Sequence, residues 1–244
     1  MSALQRALSI SRKDVESYYA KPPLITWGLL FPVVLLLAVY LKDQQGYLAV
    51  CPGILAMTLL FGNTSMAAIV VTFEKRTGTL DRLLLAPLSM RTIVLGKALS
   101  AAAYGVCTAL VLAVILGAAL GMPLARPWAF VLGLALGAGI FSLFGLAAAV
   151  LVREVFEAMT LLNFFRFPLL FVSGVFMPLD TMPGWIYPVA LASPLTHVVE
   201  LLRWGLFGQS ALGGPWIPFA ACAAYLVAAW LLAVRLFQRR LIQT

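Results

Sequence analysis

Six apolar runs of 18–25 residues divide the chain: 24–41, 48–72, 98–121, 128–152, 158–177 and 216–237. A helix needs about 20 mostly apolar residues to cross a bilayer, and shorter polar segments then become loops. In the hydrocarbon every backbone amide must be satisfied within its own segment, so runs of this length predict helices. The expected fold is therefore an all-α membrane protein with six transmembrane helices. Residues 22–244 form its membrane domain, and residues 1–21 a separate polar start. Composition agrees, because 63% of the residues are hydrophobic and 11% charged. Ordinary soluble domains carry about 25% charged residues. Of 244 residues, too few lie outside the runs for a soluble catalytic domain.

The net charge of +8 is an orientation signal. Arg6, Arg12, Lys13, Lys21, Lys75, Arg76, Arg82, Arg91, Lys97, Arg153, Arg235, Arg239 and Arg240 fall on one side of the expected topology. Only Lys42, Arg126 and Arg203 fall on the other. The positive-inside rule places both termini and loop 73–97 in the cytoplasm. The basicity thus speaks for contact with anionic lipid, and not for nucleic acid.

Residues 1–21 read as an amphipathic helix in the membrane interface. Leu4, Leu8, Ser11, Val15 and Tyr18 form one stripe, and Arg6, Ser9, Arg12, Lys13 and Glu16 another. Segment 178–215 is rich in Pro and Gly yet apolar, with Trp185, Tyr187, Trp204 and Trp216 suited to the headgroup level. It reads as short helices that dip into the outer leaflet and return. The glycines at 133, 137, 139 and 145, and the Gly117/Gly121 pair, read as small-residue packing faces. Cys51, Cys107 and Cys222 are odd in number and lie in apolar runs, so they read as buried free thiols. His197 is the only histidine, which leaves no metal constellation.

Loop 73–97 carries the most information. Gly78 permits a sharp turn, Thr79 is placed to cap a helix, and Asp81 suits its first turn. Leu80, Leu83 and Leu84 share one face, which must pack on neighbouring spans or on a partner protein. Pro87 stops the helix, and Ser89 can cap the next. Arg166 is the other residue of note, because a charge at mid-span is costly and usually functional. With Asn163 it is a candidate for the translocation path. The alternatives are pairing with Glu157 or Glu154, or snorkelling to the interface.

Glu74, Gly78-Thr79-Leu80, Leu83-Leu84, Pro87 and Gly96-Lys97 resemble the first cytoplasmic loop of ABC-2 type permeases. Ser173-Gly174-Val175-Phe176-Met177-Pro178 with Met182-Pro183-Gly184-Trp185, and Ser193-Pro194-Leu195-Thr196-His197 with Glu200 and Arg203, resemble two later blocks of that family. The blocks keep the family's order over the whole chain, most like the short prokaryotic branch of daunorubicin-resistance and nodulation-factor permeases. The chain departs from the pattern at Arg76 and His197. The resemblance implies the membrane subunit of an ABC exporter in a prokaryotic cell membrane. It implies a homodimer of permeases joined by two copies of a separate ATPase subunit, which holds the ATP and Mg. This chain has no GxxxxGK[ST] phosphate loop and would bind no cofactor itself. Glu74, Gly78, Thr79, Leu80, Arg82, Leu83, Leu84 and Pro87 would form the coupling element. An ATP-independent channel or secondary transporter is the second class, but it needs no docking helix; a membrane enzyme or assembly scaffold is the third, and the missing catalytic constellation speaks against the enzyme.

Overall fold

The computed structural model describes residues 3–19, 32–35, 37–38, 41 and 47–241. Nearly all of them are helical, with no strand among the described residues. The helices are α1 (Ala3–Asp14), α2 (Tyr47–Arg76), α3 (Thr79–Leu85), α4 (Met90–Leu120), α5 (Pro127–Leu151), α6 (Val155–Val172), α7 (Tyr187–Leu191), α8 (Pro194–Phe207) and α9 (Trp216–Leu241). A π-helical turn, Val15–Tyr19, follows α1. Five helices, α2, α4, α5, α6 and α9, are long and apolar enough to cross a membrane. The first expected span, 24–41, lies largely outside the described residues.

Helices α2 and α5 form the centre. One apolar cluster gathers Ile54, Leu59, Leu134, Phe141, Leu170 and Val198. A second gathers Val70, Leu80, Val94, Leu146, Leu162 and Phe237. The clusters meet on α2 at Phe61-Gly62-Asn63-Thr64-Ser65, a polar interruption at mid-helix. Here α2 crosses its neighbours at close range. A Cβ built on Gly145 of α5 would stand 2.5 Å from the Thr64 carbonyl oxygen, and one on Gly105 of α4 would strike the Asn63 amide. The glycines of α5 thus do form a packing face: Gly133 and Gly137 admit α8, Gly139 admits α9 and Gly145 admits α2. The Gly117/Gly121 pair does not. Gly121 ends α4 in the left-handed region at φ 64°, and no described residue lies within 4 Å of a Cβ on Gly117.

The contrast gives a prediction. Gly145→Ala should destabilise by about 1–3 kcal/mol, because the clash is with backbone that cannot rotate away. Gly117→Ala should be neutral or stabilise by about 0.4–1 kcal/mol through the unfolded state. Unfolding of the purified protein in mixed micelles compares the two.

Several boundaries differ from expectation. Helix α4 starts at Met90, about two turns before the apolar run, because Ser89 caps it by accepting from the Thr92 amide at 3.2 Å. Helix α6 stops at Val172 and not at 177, since Gly174 takes φ 75°. Cys107 is exposed, whereas Cys51 and Cys222 are buried. Helix α1 packs on α4 through Ala7, Ile10 and Asp14, while Leu4 and Leu8 face outward. The stripe Leu4–Leu8–Ser11–Val15–Tyr18 is therefore not the one that is buried. Gly96 decides this, because its missing Cβ would lie 2.8 Å from the Ala7 carbonyl oxygen and the Ile10 Cβ.

Candidate functional site

Helix α3 hangs between the ends of α2 and α4. Gly78 holds φ 67° and forms the N-terminal boundary of α3, with no side-chain cap. Thr79 is thus the first helical residue and not the cap; its hydroxyl lies 3.0 Å from that of Thr77. Ahead of Pro87, Ala86 turns to extended backbone, the conformation a following proline imposes, and α3 ends. Leu80 is fully buried in the second cluster, with Leu83 and Leu84 packed against its edge. These leucines therefore serve the neighbouring spans. The face turned outward carries Asp81, Arg82 and Leu85, the last 87% exposed. Pro87 is exposed, and its carbonyl accepts a 3.0 Å hydrogen bond from Arg6 of α1.

Glu74 is not on that surface. It is fully buried one turn before Gly78, in a network of two carboxylates and two ammonium groups. Lys97, 1% exposed, reaches both Glu74 and, at 3.4 Å, Asp14. Lys13 reaches Glu74 and, at 3.1 Å, Asp14. Ser100 donates to Asp14 at 3.4 Å. Buried charges are tolerated when paired and hydrogen-bonded, and this set is formally neutral. Burial pulls the Lys13 ammonium down, but its hydrogen bond to Glu74 and the charges of Asp14 and Glu74 outweigh it, and its pKa is raised. That contribution is complete at neutral pH and is lost only as pH rises through the raised value, beyond the ordinary lysine range. The network clamps α1, α2 and α4 together directly above α3.

Arg166 sits in the buried stripe of α6, between Leu162 and Leu170. It is 2% exposed. Its Nη1 donates to Asn163 Oδ1 at 3.1 Å, and its Nη2 to Ser65 Oγ at 2.9 Å and to Thr64 Oγ1. The guanidinium lies 5.0 Å from the Phe61 ring centroid. No carboxylate of the described residues pairs with it. Glu157 instead accepts from the Arg153 amide at 2.9 Å and completes a capping box with Glu154 at the start of α6. The structure thus brings Arg166 and Asn163 together and takes Glu157 away from them.

At the opposite end of the molecule, Glu200 is buried. It accepts from Arg203 Nε at 3.1 Å and from Ser210 Oγ and the Ala211 amide at 2.8 Å each. It ties α8 to the turn that leads into α9. His197 is structural too, with Nε2 2.9 Å from the Leu191 carbonyl oxygen.

Residues 5–207 match the family model described as ABC-2 type transporter. The chain belongs to the ABC-2 type transporter family. It is similar to the inner membrane transport permease YadH of Escherichia coli, 25% identical over 227 residues, covering 89% of this chain and 86% of YadH. It is 29% identical over 164 residues, 66% of its length, to a Cyanophora paradoxa protein named as a transport permease, ycf38, and covers 56% of that protein. A shorter stretch of 76 residues is 30% identical to nodulation protein J of Rhizobium leguminosarum bv. viciae, covering 31% of this chain and 29% of that protein. The chain is a multi-pass membrane protein and a permease subunit of an ABC transporter.

Two residues of this permease lie outside every motif, and a third, Lys97 of the Gly96-Lys97 pair, gives no sign in the motif of its burial. Asp14 is hidden because a free interface helix has no buried face; its position seven residues after Ala7, on the packed side, is the available signal. Lys97 reads as orientation charge, although it lies within a helix that is apolar for turns beyond it. Leu85 looks like one leucine among four, and only the helix register separates it from Leu84.

Proposed function

We propose that this permease exports an amphipathic cargo, drawing energy from a separate ATPase subunit that α3 engages. The observation that carries the reading is α3 itself. It is a seven-residue helix anchored inward by Leu80, with Asp81, Arg82 and a leucine displayed to solvent. Leu85, 87% exposed beside two charged residues at the end of α3, gives a partner surface an apolar residue to cover.

In this reading α3 is the coupling helix. The ion network above it would make α1, α3 and the ends of α2 and α4 move as one body when the ATPases close on ATP and Mg. ATP hydrolysis would belong wholly to that partner. The positive side of the chain would be cytoplasmic, with both termini there, and 24–41 would supply the sixth span. The exposed Trp128, Trp185 and Trp216 lie near helix ends away from α3, where they would serve as headgroup anchors. Helices α7 and α8 would form the outer re-entrant cap, with α1 in the inner interface. Two permeases would associate as a homodimer, since a closed twofold pair is the commonest assembly.

Co-expression with the ATPase encoded beside it tests the assembly. The purified complex should weigh as two permeases and two ATPases. A complex with one permease chain, or a permease that never retains an ATPase, overturns the reading.

A further inference from the structure

We propose that Arg166, with Ser65 and Asn163, forms a binding site for the phosphate group of an anionic amphipath. The inference rests on the proposed export function, with Arg166 and Asn163 on the translocation path. Among the described residues, every hydrogen bond of the guanidinium goes to a neutral oxygen, and its Nε finds no partner. A buried charge that the described residues leave without a counter-charge is unfavourable. Packing does not require it either, because the other members of the buried α6 stripe are Ala158, Leu162 and Leu170. A leucine would continue that stripe at no electrostatic cost. An incoming anion supplies what is missing.

The surroundings suit an oxyanion. Thr64 commits its hydroxyl proton to the Leu60 carbonyl, but Ser65 accepts from Arg166 and retains its own O–H to donate. Asn163 uses only its Oδ1 toward Arg166, which leaves its amide N–H groups for a ligand. Guanidinium, hydroxyl and amide donors together match the several acceptor oxygens of a phosphate, and charge-assisted bonds are the strong ones. Phe61, Ser65 and Asn163, which touch the guanidinium, are only half-buried, and access would run past them from the outward face of α6. That face is aromatic: Phe164 is 74% and Phe167 51% exposed, and Phe167 meets Phe61 edge-on at 6.1 Å. An apolar rim around a cation fits a headgroup joined to hydrocarbon better than a free ion.

The test is thermal unfolding of the purified permease in a nonionic detergent. It is titrated in parallel with dioctanoyl phosphatidate, dioctanoylglycerol and inorganic phosphate. Phosphatidate should raise the melting temperature saturably, with little response to the other two. Arg166→Gln should weaken the apparent affinity at least tenfold, Arg166→Lys less, and Ser65→Ala about threefold. Should Arg166→Gln fail to fold, Ser65→Ala and Arg166→Lys decide. An equal response to dioctanoylglycerol, or wild-type affinity in every variant that folds, overturns the site. Inorganic phosphate binding as tightly as phosphatidate overturns the amphipath and leaves an ion site. Binding here needs no ATPase, so an assembled complex whose ATP hydrolysis ignores a bound phosphatidate would count against the export reading and not against the site.

Discussion

Lys97→Met will lower the stability of the permease by about 3–5 kcal/mol, the cost of removing one partner from a buried ion pair. The side chain is almost fully buried, and both carboxylates it touches, Glu74 and Asp14, are wholly buried. Methionine fills most of the volume, so the loss reports charge and not a cavity. What is left is two buried carboxylates facing one half-exposed Lys13. The second substitution sharpens the argument. Glu74→Gln in the Lys97→Met background restores formal neutrality, leaving Lys13 and Asp14 as a pair. The double variant should therefore be more stable than Lys97→Met alone. Unfolding of wild type, both single variants and the double variant in mixed micelles gives the coupling directly. Additive losses would show that the four groups do not act as one network. Arg6→Ala serves as a comparison: its bond to the Pro87 carbonyl is exposed, and its removal should cost well under a third as much.

The parts of this fold that follow from period and length were legible in the sequence, and the parts that follow from contacts between helices were not. Apolar runs located α2, α4, α5, α6 and α9 because a bilayer enforces helix and length together. Ser89 was legible as a cap because its chemistry is local. Thr79 was misplaced for a related reason. A threonine after a glycine satisfies the capping pattern, yet the left-handed Gly78 already provides the turn, and the helix begins one residue earlier than a side-chain cap would set it. The inward role of Leu80 and the outward one of Leu85 depend on where α3 lies against α2 and α4, which no local pattern encodes. The same holds for Arg166. Its cost was evident from its place in an apolar run, but its partners Thr64 and Ser65 lie a hundred residues away on α2. Proximity along the chain pointed to Glu157, which the helix start had already engaged.

Leu85→Asp should abolish coupling between transport and ATP hydrolysis while leaving the permease folded and inserted. The side chain is 87% exposed, so no packing within the chain is lost, and a buried contact with the ATPase would be replaced by a desolvated charge. Gly78→Val should reach the same functional end by another route. No described residue lies within 4 Å of a Cβ at Gly78, so the effect is conformational: φ 67° costs an L-residue about 1–2 kcal/mol, and more for a β-branched one. The turn would relax and swing α3 away from its seat. Gly78→Asn, which tolerates the left-handed region best among side-chain-bearing residues, should recover much of the activity. Leu83→Asp is the less clean probe, because Leu83 packs against the second apolar cluster and a charge there threatens the fold. Measuring permease level, ATPase retention and cargo-stimulated hydrolysis in the assembled complex separates these outcomes. Wild-type stimulated hydrolysis in Leu85→Asp, with the ATPase still bound, would remove α3 from the coupling path. Normal folding with loss of the ATPase from both Leu85→Asp and Gly78→Val, and its return in Gly78→Asn, would place the contact on the outward face of α3.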